Sequence, residues 1–197
     1  MPYFFPEELM ELGEAILNRR SVRKFTDYYV TDEEIRAVLD AAHNAPSWAN
    51  TQVWEFIVVR DRELIREVTD TYSSTNPARA CSADASAIIV VCARTKVSGC
   101  REGKERTKFL EWFMFDLGMA VQNLCLKAHE IGLGTVVVGS MDHDACAKVL
   151  RVPEGYEVVV ALPLGKPAAP SGKGPTRKEL RTCVHLDAFG EHYGKIY

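Results

Sequence analysis

The chain has 197 residues and a formal net charge of −3; 47% of its residues are hydrophobic and 26% charged. These are ordinary values for one globular domain with a sizeable core. A slightly acidic balance gives no reason to expect nucleic acid or an anionic membrane as a partner.

In chain order, Leu9–Asn18 reads as a first helix. It runs directly into Arg19-Arg20-Ser21-Val22-Arg23-Lys24-Phe25, where four cations and a hydroxyl fall within six residues. In an acidic chain such a knot reads as a site for a compact anion, because forked guanidinium donors match phosphate oxygens. A solvated basic turn is the competing reading. Thr31-Asp32-Glu33-Glu34 is a capping box that starts a second helix, with Ile35, Val38, Leu39 and Ala42 on one face. This helix should end by Ala45, since a residue before proline disfavours helical geometry. Ala45-Pro46-Ser47-Trp48-Ala49-Asn50-Thr51-Gln52 is a turn-rich loop. Trp48 there is placed either to stack on a flat ligand, with Ser47 and Asn50 as polar contacts, or to cover the edge of the core.

Trp54–Val59 predicts a strand, Asp61–Tyr72 a helix, Ser73–Asp84 a loop and Ala87–Cys92 a buried strand. The polar segment Lys96–Lys108 is a candidate lid or a stretch shaped by a partner chain. Phe109–Ile131 is apolar nearly all round, which predicts a helix buried on both sides, by the core and by a second subunit. It carries Glu111, Asp116, Gln122, Asn123 and Lys127, which argue against a membrane span. Thr135–Val138 predicts a strand, His143–Leu150 a short helix and Glu157–Leu162 another strand; Pro167–Pro175 is a linker before a tail that contains Arg177 and Lys178.

Six cysteines form no C-x-x-C pair and no metal spacing with the histidines. Cys92, Cys125 and Cys146 read as core thiols; Cys81 and Cys100 lie in loop-like surroundings. No secretory leader is recognisable at the N-terminus, and the expected home is a reducing cytoplasm. The five histidines have no partner pattern that makes a catalytic triad, and no G-x-G-x-x-G follows the first strand.

Taken together, R-R-S-x-R-x-F at 19–25 and A-P-S-x-x-N-x-Q-x-W at 45–54 resemble the nitroreductase family of FMN-dependent oxidoreductases. Phe115-Asp116-Leu117-Gly118-Met119-Ala120-Val121-Gln122-Asn123-Leu124, Gly132-Leu133-Gly134-Thr135, Val138-Gly139, Val152-Pro153-Glu154-Gly155-Tyr156 and Leu164-Gly165-Lys166-Pro167 fit in order and spacing. The resemblance implies an α+β fold, a central and mostly antiparallel sheet flanked by helices, in an intertwined homodimer. It implies one domain over residues 1–197, with 168–197 as a C-terminal extension wrapping the partner subunit. It also implies FMN as cofactor, NAD(P)H as donor, and a small electron acceptor such as a nitroaromatic, quinone or activated alkene, in ping-pong order. No metal is expected and no protein nucleophile is required. Specialised branches of the family, for flavin fragmentation or reductive dehalogenation, and a flavin-binding protein without turnover remain alternatives.

By the same resemblance, Arg19 and Ser21 hold the FMN phosphate, Arg20 lends a backbone or side-chain contact, and Arg23 lies near the ribityl chain and the N1/O2 edge. Arg177 is the second phosphate cation, with Lys178 as competitor and a surface charge as the bland reading. Pro46, Ser47, Trp48 and Asn50 come from the other subunit and cover the ring. Val138 and Gly139 form the turn whose N–H groups face flavin N5, with Trp48 and Val138 as candidate substrate-facing residues. Asn76 is the nearest, weak candidate for the pyrimidine edge.

Overall fold

A computed structural model describes residues 10–170 and 172–191. Its helices are α1 (Leu12–Asn18), α2 (Asp32–His43), α3 (Arg62–Asp70), α4 (Arg79–Asp84), α5 (Phe113–Glu130) and α6 (His143–Val149). Its strands are β1 (Trp54–Val59), β2 (Ala87–Arg94), β3 (Cys100–Arg101), β4 (Lys104–Glu105), β5 (Gly134–Thr135) and β6 (Tyr156–Gly165). The main sheet is antiparallel, in the order β1-β2-β6-β5, and β3 and β4 form a separate hairpin.

Side chains alternate across a strand, and β2 shows what that does here. Ala87, Ile89, Val91 and Ala93 join one core cluster, with Val38 and Ala42 of α2 and Leu117, Leu124 and Ala128 of α5. Ile88, Val90 and Cys92 join the other, with Ile65 and Val68 of α3, Cys81 of α4 and Cys146 of α6. The sheet is therefore the middle of three layers. That is why β2 reads as a continuous apolar run rather than an alternating one.

The capping box forms as predicted: the Glu34 amide donates to the Thr31 hydroxyl, and the Thr31 amide donates to the Glu34 carboxylate. Several boundaries differ. Leu9 lies outside the described residues, and α1 starts at Leu12. The predicted loop at 73–84 ends in α4, so Cys81 is a buried helical thiol rather than a loop one. Helix α5 begins at Phe113, leaving Leu110–Trp112 as a turn before it. The predicted strand at 135–138 is split into β5 and an isolated Val138–Ala161 bridge. The core cysteines are as expected: burial pushes the Cys92 thiol up to about 12 and the Cys146 thiol up to about 11, so neither is a nucleophile at neutral pH.

Candidate active site

The basic knot is not left at a helix tip. After α1 the chain becomes extended and is sewn between two parts of the sheet edge. The Val22 amide donates to the Thr135 carbonyl at 2.9 Å, and Ser21 bridges Thr135 in parallel register. The Thr26 amide donates to the Lys166 carbonyl, and the Ala168 amide to the Lys24 carbonyl. Gly134 permits this approach: a β-carbon there would lie 2.7 Å from Val22 Cβ.

The extended segment forms one wall of a cavity of about 1090 Å³, and the 169–177 segment forms another. Arg19, Arg20, Arg23, Lys24, Lys173 and Arg177 all line it, with Ser21, and among the described residues no carboxylate does. Among the described residues, none of Arg19, Arg23, Lys24 or Arg177 is in an ion pair. The local positive potential is felt next door. Burial lowers the His129 pKa, and the Arg19 and Arg20 charges lower it further. Unneutralised cations gathered in one concavity of a chain of net negative charge give that concavity the electrostatics that suit an anion.

The turn after β5 supplies a different group. The Val138 carbonyl accepts from the Ala161 amide at 3.0 Å, and the Val138 amide donates to the Ala161 carbonyl at 2.9 Å. In a trans peptide, C=O and N–H point in opposite directions. The Gly139 N–H is thus aimed away from β6, and Gly139 is exposed. The two ring nitrogens of His143 lie between carbonyls, Nε2 at 3.2 Å from that of Gly139 and Nδ1 at 2.9 Å from that of Val158, and a neutral ring donates to one of them. Val138 needs correcting. Its side chain is only 2% exposed, in the core cluster on the α3 and α6 face, and its own N–H is used inside the sheet. A substrate-facing role for Val138 does not fit; Gly139 alone keeps an outward N–H.

The Pro46–Asn50 loop is elsewhere. Trp48–Asn50 forms a 3-10 turn, with Ala49, Asn50 and Gln52 all at positive φ. Asp116, fully buried on α5, accepts the Trp48 amide at 3.0 Å on one oxygen and the Ser98 hydroxyl at 2.6 Å on the other. The Gln52 amide donates to the Ser47 hydroxyl. At about 1.5 Å per helical residue, Asp116 lies roughly 9 Å along α5 from Gln122, which lines the cationic cavity. Pro46, Ser47, Trp48 and Asn50 therefore do not line the same cavity as Arg19, Ser21, Arg23 and Arg177 within one chain. Asn76 is spent locally, donating to the Ser140 carbonyl and accepting from the Ala78 amide, so it is not free for a ligand edge. Asp116 and Lys173 were not singled out from the sequence for a role in the site. The one available signal was a carboxylate among the inward positions of an otherwise apolar helix.

This is the architecture of a three-layer α+β protein with a cationic cleft at the sheet edge. The nitroreductase family matches over residues 16–80 and 72–166, and the chain belongs to that family. Bacillus subtilis FMN reductase (NADPH) is 30% identical over 192 residues, covering 89% of this chain and 73% of that one. A crystal structure of a nitroreductase family protein from Clostridium novyi NT covers 94% of this chain and 98% of its own, at 26% identity and a TM-score of 0.73. The NADPH:FMN oxidoreductase of Vibrio harveyi, complexed with NAD+, is 26% identical with a TM-score of 0.77, covering 91% of this chain and 78% of its own.

Proposed function

We propose that the chain is an FMN-dependent oxidoreductase that takes electrons from NAD(P)H and passes them to small flat acceptors: nitroaromatics, quinones or activated alkenes. The observation that carries this reading is the cavity lined by Arg19, Ser21, Arg23 and Arg177, with no carboxylate among the described residues that line it. Its chemistry suits a phosphate monoester, and the names of the similar proteins make FMN the cofactor.

FMN, when bound, supplies the two-electron redox chemistry, so no protein nucleophile is needed. The chain's own residues bind and orient. Arg19, Ser21 and Arg177 hold phosphate, with Lys24 and Lys173 adding to the field around it. Arg23 lines the same cavity and would stand beside the ribityl chain and the ring edge, where a fixed cation would favour electron-rich states. Gly139 offers its backbone N–H at the turn after β5, and the lack of a side chain lets a ring approach the main chain. The loop Pro46–Asn50 serves the site of a second copy: it lies away from its own chain's cavity, tied to Asp116 of α5. Trp48 then narrows the acceptor space and favours flat molecules by stacking. NAD(P)H and the acceptor use that space in turn, in ping-pong order.

The test begins with the purified protein, which should be yellow with one FMN per chain and should oxidise NAD(P)H when a quinone or nitroaromatic is supplied. Removing one charge-assisted phosphate contact with Arg19→Ala should weaken FMN by about 1.5–3 kcal/mol, roughly tenfold to a hundredfold. Full flavin content and an unchanged FMN dissociation constant in that variant would refute the phosphate assignment.

A further inference from the structure

Arg20 stands in the middle of the basic knot and lines the cavity, yet one of its guanidinium nitrogens is turned back onto the backbone. One guanidinium nitrogen, Nη1, donates to the Leu17 carbonyl at 2.6 Å and to the Arg19 carbonyl at 2.8 Å. These carbonyls end α1, where the last turn has no basic residue of its own. Terminal helix carbonyls lack intrahelical partners and carry partial negative charge, so Arg20 is already engaged with backbone. Its Nε is buried and finds no partner among the described residues.

The flat face of the same guanidinium lies on Gly174. A β-carbon at 174 would come within 2.7 Å of Arg20 Cζ and 3.0 Å of Nη2. Gly174 is not at positive φ, so its backbone conformation does not demand glycine. A β-carbon there would meet the Arg20 guanidinium, so either the side chain or the 172–177 segment would have to shift. Among the described residues, no hydrogen bond ties residues 172–178 to the rest of the protein. Yet that segment carries Arg177 into the cavity shared with Arg19, Ser21 and Arg23. Three residues span at most about 10 Å of extended chain, so where Gly174 is docked decides where Arg177 can reach.

We infer that Arg20 is a positioning residue rather than a phosphate ligand: stacked on Gly174, it docks the 172–177 segment so that Arg177 faces the anion. This rests on the cavity being the FMN phosphate site. A lysine cannot replace it, because one ammonium has no flat face to stack and no fixed fork to hold the α1 carbonyls.

The experiment measures dissociation constants of FMN and of riboflavin, which lacks the phosphate, for the apoprotein refilled with each. The ratio isolates phosphate recognition, and a general loss of structure would move both constants together. The wild type should prefer FMN strongly. Arg177→Ala should reduce the preference about tenfold, the worth of one charge-assisted contact. Arg20→Ala, Arg20→Lys and Gly174→Ala should each reduce it to a similar extent, and Arg20→Ala combined with Arg177→Ala should lower it no further than either alone. If Arg20→Ala folds poorly, Arg20→Lys and Gly174→Ala decide. A full preference in Arg20→Lys, or losses that multiply in the double variant, overturns the inference, because Arg20 would then act on the phosphate by its own charge. An unchanged preference in Arg20→Ala and Gly174→Ala overturns it too. A wild type that binds riboflavin as tightly as FMN overturns the cavity reading itself.

Discussion

His129 shows how the cation cluster acts on its neighbours one residue at a time. Its Nε2 is buried without a hydrogen-bond partner among the described residues, and its pKa is lowered by burial and by the Arg19 and Arg20 charges. The folded protein favours the neutral ring, so on acidification the unfolded chain takes up the proton first. The stability tied to His129 is therefore complete above the ordinary histidine value of about 6.5 and is lost as pH falls below it toward the lowered folded value. In apoprotein, His129→Gln should flatten the dependence of Tm on pH in that window relative to wild type. Superimposable pH profiles would remove His129 from the account. Single residues were unevenly legible from the sequence. Arg19, Ser21, Arg23 and Arg177 do meet in one cavity, because a run of cations in an acidic chain needs an anion to make sense of it. Val138 was misplaced because strand residues look alike in sequence, while which of them turns inward depends on pairing with Ala161. In the sequence Asp116 reads as a charge against a membrane span and as part of the Phe115–Leu124 motif, with no partner of its own. Its role as acceptor for Trp48 and Ser98 spans 68 and 18 residues of separation, which no local pattern reveals.

At the scale of elements, self-contained signals read well and borrowed ones did not. The cap of α2 uses residues within one turn, so Thr31 and Glu34 announce it. Helix α4 is six residues long, too short to be stable alone. It forms because Cys81 and Ser82 are buried and because Arg79 bonds the Tyr72 carbonyl and the Asp70 side chain. Those are tertiary facts, and the Ser- and Pro-rich lead-in masks them. The closest meeting of elements that matters for the site is the basic segment against β5. A methyl added by Gly134→Ala would press on Val22 Cβ at 2.7 Å and on Pro167 Cγ at 3.1 Å. Overpacking of this kind costs about 1–3 kcal/mol, and here the element that can yield is the one that carries Ser21 and Arg23. Gly134→Ala should lower both Tm and FMN affinity, and adding Val22→Ala should restore part of each by making room. A Gly134→Ala variant with wild-type Tm and flavin affinity would mean that the basic segment is not held by this contact.

At the scale of the whole molecule, the three layers account for burial of α2, α3, α4 and α6, but α5 keeps a second apolar face. Phe115 is 62% exposed and Met114 52%, and Gly118 and Gln122 continue the open stripe along the helix. Beside its far end, Ile16 and Leu17 of α1 are 57% and 72% exposed. Among the described residues no helix is long and apolar enough to cross a membrane, so this face is not a span. The expected cover is a second copy of the chain, with α5 against its mate; Gly118 has no atom within 4 Å of where a β-carbon would stand, which leaves room for a facing helix. Such a dimer would also bring the Trp48 loop, anchored by Asp116 on α5, over the partner's cavity. Interfaces of this kind bury more than about 2,000 Å² when obligate. Light scattering at micromolar concentration should give a dimer, and a charge placed in the stripe and beside it, Phe115→Glu with Ile16→Glu, should yield monomer that has lost flavin. The paired losses are the informative part, because a charge that merely destabilised the fold would lower Tm without leaving a folded monomer. A wild-type protein that is a monodisperse monomer and still holds FMN and turns over NAD(P)H would show that one chain completes the site by itself.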